Sequence, residues 1–313
     1  MKKAARMKHQ AAKARSRLEE LTFGSFNVHT AAVKGVNDIG QIDSLLRSCA
    51  AKGCDVLGLR ETKRDGTSEI VAAGYRVYFS GDCSRVKGRK GQHGVGLAVK
   101  KEIVEKAGKD GIAIECISAR LLKARISIKS TFVTFVVAYA PTEDAAEGDK
   151  AKYIAALNST VDSVPAQEYV FLLTDASART EERGEGGGEA DSKVLGAYGQ
   201  DVPNKNDKLL LGYAEDNKPA LMNTFFCTLK CGVSYTFQST NRGKRQARLE
   251  YILTKQANRR LVRCVNVRSL PWSHRNRITT SCTQQFASQA GLHQTGGGGR
   301  APRRLRGRPT YSG

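Results

Sequence analysis

The chain has 313 residues, 40% of them hydrophobic, and carries 51 Lys and Arg against 30 Asp and Glu, a formal charge of +21. Such a length holds one large domain or two small ones around a substantial core, and the apolar run Phe132–Ala140 is far shorter than the roughly 20 residues a bilayer crossing needs, so no membrane span is expected. The charge favours a polyanionic partner, nucleic acid above all.

Residues 1–20 read as a Lys/Arg/Ala-rich arm without the apolar segment of a secretory signal. Residues 21–288 alternate apolar strands with amphipathic helices and read as the folded domain. Leu21–Val28 alternates as a strand. A helix follows, capped by Asn37 or Asp38, with Ile39, Ile42, Leu46 and Cys49 on one face and Gly53 as its stop. Cys54–Glu61, Tyr75–Phe79, Gly94–Val99, Ala119–Ile128 and Thr131–Ala140 are the next strands. The glycine-rich stretch Gly88–Gly96 lacks the Gly-Lys-Ser/Thr ending of a phosphate loop and precedes a strand, so it reads as a flexible turn. His29 and His93 read as surface or rim residues. A second helix occupies Asp149–Val164, with Ile154, Leu157, Val161 and Val164 on one side and Pro165 after it. Then come the strand Tyr169–Asp175, a Glu- and Gly-rich loop read as solvated, a short helix near Asn206–Asp216, and strands at Ala220–Phe226, Ser234–Ser239 and Arg248–Thr254. Residues 289–313 are Gly/Arg/Pro-rich and cannot build a core, so a disordered tail is expected. Many strands in mixed order with few helices predict two packed sheets with helices outside.

Eight cysteines follow no disulfide framework. Cys49 and Cys54 fall in core elements, which points to buried thiols and a reducing compartment, cytoplasm or nucleus. Cys227 and Cys231 have no second pair at zinc spacing. Between Arg242 and Arg277 cations crowd and Glu250 is the only acid. Arg242, Lys244, Arg245, Arg248 and Arg275 are therefore candidate nucleic-acid contacts, with Arg60.

The functional signal lies in the polar residues at strand ends. Asn27, Glu61, Tyr139, Asp175, Glu250 and His274 all close, open or follow an apolar run. An amide, a phenol, an imidazole and three carboxylates at one rim suit metal-assisted hydrolysis of a phosphodiester. Mg²⁺ takes one or two carboxylates and keeps waters, neutralises phosphate charge and orients a water whose proton a carboxylate accepts.

The ordered series FNV, RETK, GVGLAV, YAPTE, LLTDASAR, NKND, NTFF, YTFQS, RLEYIL and SH resembles the endonuclease/exonuclease/phosphatase family over residues 22 to 276. Within it, the chain is most similar to RTE-type non-LTR retrotransposon endonucleases and to craniofacial development protein 2-like proteins. The resemblance implies a four-layer α/β sandwich: two mixed β-sheets packed face to face, with helices outside. It implies a nuclease using Mg²⁺ or Mn²⁺, acting on nucleic acid, with DNA the expected partner and a monomer favoured. By the same resemblance Asn27 and Glu61 serve the metal, and Tyr139 contacts the scissile phosphate. Asp175 is the general base, exposed so that a water reaches it. Glu250 orients the catalytic His274.

The pattern also breaks. Arg60 stands where the family has Gln, Ser177 where it has Asn, and Ser273 where it has Asp. Glu250 replaces Asp, Thr174 replaces Gly and Phe237 replaces Trp. Losing one preorganised donor costs about 10²–10³ in rate. Two expectations therefore stand: a slowed Mg²⁺-dependent endonuclease of retrotransposon origin, or an inactive relic that binds nucleic acid through its basic surface.

Overall fold

In the computed structural model, residues 20–28, 39–82, 93–129, 131–179, 193–198, 204–226, 235–238, 246–269 and 278–285 are described. The basic arm up to residue 19, the Gly/Arg tail, the cap positions Asn37 and Asp38, His29, Cys227, Cys231 and most of the Glu-rich loop lie outside them.

Strand alternation builds the centre. Strand β1 (Glu20–Asn27) turns Leu21 and Phe23 to one side and Phe26 to the other. β2 (Val56–Arg60) turns Val56 inward and Leu57 and Leu59 outward. These runs are buried on both faces, as parallel neighbours covered on each side must be. β3 (Thr67–Ala72), β4 (Tyr75–Ser80) and β5 (Val95–Lys100) follow. Beyond them the chain forms β6 (Ile112–Ser118), β7 (Leu121–Ile128), β8 (Thr131–Tyr139), β9 (Tyr169–Asp175) and β10 (Pro219–Leu221). β11 (Phe237–Gln238) and β12 (Gln246–Ala247) form a small ladder. β13 (Glu250–Lys255), β14 (Val262–Ser269) and β15 (Ile278–Gln285) complete the strands.

One sheet runs β14-β15-β1-β2-β5-β4-β3 and the other β10-β13-β9-β8-β7-β6. Both are mixed: β1 is parallel to β2 and β8 to β9, and the remaining pairs are antiparallel. The sheets meet through an apolar layer. Phe23 from the first packs on Phe135 and Phe171 from the second, with ring centroids 5.3 and 5.0 Å away. The approach is close at Gly58, where an added Cβ would stand 2.9 Å from Leu173 Cδ1. Helix α1 (Ile39–Ala51) covers the outer face of the first sheet with Ile42, Leu45, Leu46 and Cys49. Its end follows the expected glycine stop: Gly53 has φ +75° and its amide bonds Ala50 O at 2.9 Å. α2 (Lys101–Ala107) is a short helix after β5. α3 (Glu147–Asp162) and α4 (Lys205–Asn217) cover the second sheet through Tyr153, Leu157, Leu210 and Tyr213. The result is the four-layer sandwich.

Local differences have local causes. The α3 stripe is Lys150, Tyr153, Leu157 and Thr160, with Ile154 and Val161 at its margins, because Lys150 folds back onto Glu143 O (2.8 Å) and Glu147 (2.9 Å). The run from Ala220 is a strand only to Leu221; Met222–Thr224 then turn as a 3₁₀ segment. β3, β6 and α2 carry weak or interrupted apolar patterns, and sequence reading passed over them.

Candidate active site

The alternation that buries the core also delivers the polar residues. Along the inner faces, Phe23 is followed by Ser25 and Asn27, Gly58 by Arg60, Val137 by Tyr139, and Leu173 by Asp175. Glu250 precedes Ile252 at the same end. These polar residues share the two-residue period of the inner core positions on their own strands, so the strands point them into the cleft between the sheets; Glu61 follows β2 out of that period, at φ +53°. Register then places them side by side. Asn27 stands opposite Arg60 on the first sheet, while Tyr139 is paired with Asp175, and Asp175 with Glu250, on the second.

The amide of Asn27 links the two sheets. Its Nδ2 donates to Glu61 Oε1 at 2.7 Å, and its side chain also bonds Asp175. Tyr139 OH reaches Glu61 Oε1 at 3.4 Å. Glu61 and Asp175, distant in sequence, thus meet at one end of the cleft. Two residues at its edge hold positive φ: Glu61 at +53° and Ser177 at +48°. Non-glycine residues in that region carry a conformational cost that the surrounding contacts must offset. At Ser177 those contacts are its amide to Asp175 Oδ1 (3.1 Å) and its carbonyl to Asn204 Nδ2 (2.9 Å).

Burial shapes the electrostatics. Asp175 is only 6% exposed, which corrects the expectation of an exposed acid; Asn27, Glu61 and Ser177 are the partly open members. Burial raises the Asp175 carboxyl above its usual value, while Arg60 pulls it down. Burial pushes Glu250 up to about 7, again against Arg60. The Tyr139 hydroxyl is raised by burial and then by Glu61 and Asp175, so it stays a donor.

Arg60 and Arg248 are the clear corrections. Both were expected on a nucleic-acid-binding face, and both are buried. Arg60 has no exposed surface; its Nη2 donates to Glu250 Oε1 at 2.6 Å and its Nη1 to Ser25 Oγ. Arg248 is 2% exposed and donates to the carbonyls of Tyr198 (2.7 Å) and Asn223 (3.2 Å). Neither guanidinium reaches a phosphate outside. Arg60 follows inner-face Gly58 by two residues, and that spacing would have placed it inside. His274, Ser273, Arg242, Lys244, Arg245 and Arg275 lie outside the described residues.

Supporting residues were missed. Arg120, in the β6–β7 turn, donates to the carbonyls of Tyr139 (3.2 Å) and Ala140 (3.1 Å), lies 5.1 Å from the Tyr139 ring and meets His93 Nε2 at 3.1 Å. Gly94 carries the rest of this corner: its φ is +116°, and a Cβ there would stand 2.3 Å from Thr62 Oγ1. Asn204 bridges Ser177 O and the Arg179 amide. Thr236 Oγ1 accepts from the amides of Leu249 and Glu250. Turn contacts of this kind have no periodic signature.

Among the described residues no group of three or more His, Cys, Asp or Glu is arranged to hold a metal ion. Glu61, Asp175 and the Asn27 amide form a smaller oxygen-bearing set. Its chemistry fits Mg²⁺ or Mn²⁺, which bind through one or two carboxylates and retain water, and does not fit zinc, which wants thiolate or imidazole.

This architecture is the nuclease/phosphatase fold. The chain belongs to the Endonuclease/Exonuclease/phosphatase family, which it matches over residues 24–273. Two relatives are craniofacial development protein 2 of Bos taurus, 24% identical over 250 residues, and of Tragulus javanicus, 23% identical over 250 residues. The match covers 80% of this chain and 38% and 40% of theirs, so the chain spans about two fifths of the relatives' length. Among solved structures, an AP endonuclease from Leishmania major has TM-score 0.58 at 13% identity, over 85% of this chain and 88% of that one. The endonuclease domain of TRAS1, a telomere-specific non-LTR retrotransposon, has TM-score 0.53 at 11% identity, over 85% and 98%. A 3′ phosphatase from Neisseria bound to a product DNA hairpin has TM-score 0.56 at 15% identity, over 84% and 98%. At these identities the solved structures speak for the fold.

Proposed function

We propose that the protein is a divalent-metal-dependent phosphodiester hydrolase acting on nucleic acid, an endonuclease of retrotransposon origin that the changes at its site slow. The observation that carries this reading is the meeting of Asn27, Glu61, Tyr139 and Asp175 at one end of the cleft between the sheets. Glu61, with Asn27, would hold Mg²⁺ or Mn²⁺ beside Asp175, and the ion would supply charge neutralisation at the phosphate and an acidified water. Asp175 accepts the proton of the attacking water, and its bond from the Ser177 amide fixes the carboxylate's orientation. Tyr139, a donor held by Arg120 through its own carbonyl, stabilises negative charge growing on the phosphate. Retrotransposon descent draws support from the TRAS1 likeness. A nucleic-acid partner draws support from the +21 charge and from the Neisseria phosphatase solved with DNA.

One observation favours the second reading, a relic that binds nucleic acid and cuts nothing. Glu250, the acid the resemblance assigns to orienting the imidazole, gives one carboxylate oxygen to Arg60, a cation the resemblance does not place there. A supercoiled-plasmid nicking assay with Mg²⁺ separates the two. Nicking that is lost in Asp175→Ala and in EDTA supports the hydrolase. Nicking that survives Asp175→Ala rejects this site. Salt-sensitive DNA binding without nicking establishes the relic.

A further inference from the structure

Two residues that depart from the family pattern, Arg60 and Glu250, touch each other. Arg60 comes from β2 of the first sheet and Glu250 from β13 of the second. Both side chains are buried, and the guanidinium's other contact, Ser25 Oγ, lies on β1. The ion pair therefore crosses the cleft directly at the candidate site. Glu250 is also held by its backbone, since its amide donates to Thr236 Oγ1 at 3.2 Å. Its neighbour in register is Asp175, and the neighbour of Arg60 is Asn27. The pair is thus flanked by Asn27 and Asp175, two residues of the candidate site.

We propose that Glu250 is the buried counter-ion of Arg60, not a group that faces substrate or metal, and that the pair positions Asp175 and sets the net charge the site offers a cation. This rests on the metal-site reading above. Arg60 and Glu250 cancel, leaving the charges of Glu61 and Asp175 for a divalent ion. Glutamate, one methylene longer than aspartate, has the reach to cross to the opposite sheet. Without Glu250, the Arg60 charge stands uncompensated beside Asp175. It then repels an incoming cation through a medium that screens poorly.

The test is a cycle of Glu250→Gln, Arg60→Gln and the double variant. Mn²⁺ affinity is read at about pH 8 from the electron paramagnetic resonance signal of the free ion, alongside thermal unfolding without metal, with Glu250 ionised at that pH. Glu250→Gln is expected to weaken Mn²⁺ binding at least about tenfold, and the double variant to return within about threefold of the parent. An unchanged Glu250→Gln overturns the proposal. So does a double variant as weak as Glu250→Gln, because Glu250 would then act on the ion or its water directly. A parent protein that binds no Mn²⁺ overturns the metal reading instead, and the unfolding cycle then decides the pairing alone. Each single variant is expected to melt lower, with the double recovering more than half of the loss. Additive losses, or a double variant that fails to fold, overturn the pairing.

Discussion

Glu250 gives the chain a proton-linked stability that can be worked out in advance. Its carboxyl sits at about 7 in the folded protein against an ordinary 4.5. Between those values the native state holds a proton that the unfolded chain has released, so stability falls as pH rises. The contribution is full below the ordinary value and gone above about pH 7. At 1.36 kcal/mol per unit, the shift corresponds to about 3 kcal/mol. Asp175 is shifted in the same direction, so the total slope is not specific. The specific quantity is the difference between the parent and Glu250→Gln, which removes one titration and keeps the shape. Urea unfolding at steps from about pH 4.5 to 8 measures it. The parent's advantage over the variant should shrink by about 3 kcal/mol across that range. Parallel curves would mean that Arg60 fully offsets the burial of Glu250, so that its carboxyl titrates near the ordinary value.

Phe171→Ala should cost about 3–5 kcal/mol in chemical denaturation, because its ring is fully buried against Phe23 and Phe135; a loss under about 1 kcal/mol would contradict that packing. Gly58→Val should cost about 1–3 kcal/mol and lower Tm, since a Cβ there meets Leu173 at 2.9 Å and pushes the sheets apart; an unchanged Tm refutes the close approach. Ser177→Asn should raise nicking by up to about 10²-fold if the missing amide limits the rate, and the +48° φ suits Asn; an equal rate in both proteins removes that explanation. In thiol labelling, Cys49 and Cys54 should react only on unfolding: both are buried, burial pushes Cys49 up to about 12, and burial also raises Cys54 well above its ordinary value. Partly exposed Cys116 and Cys264 should label before them, and equal labelling rates among these four would refute the burial.

Reading the chain alone reached the two-sheet sandwich because strand runs such as Tyr169–Asp175 and Thr131–Tyr139 are long, apolar and bounded by turn residues, and α1 and α3 each carried a stripe and a stop. The short β12, the weakly patterned β3, β6 and β14, and the contacts of Arg120, Asn204 and Thr236 stayed out of reach. Their positions depend on what packs against them, and no period announces it.

Which residues are polar at the strand ends was therefore a property of the sequence, since side chains alternate with period two and a strand's last inner position is set by counting. Whether Asn27 and Glu61 of one sheet stand beside Asp175 and Tyr139 of the other was decided only when the sheets stacked. Arg60 shows the difference most plainly. In the sequence it is a cation in a basic protein, available to any phosphate. In the folded chain it is sealed between sheets against Glu250, 190 residues away, because a buried charge must meet its opposite.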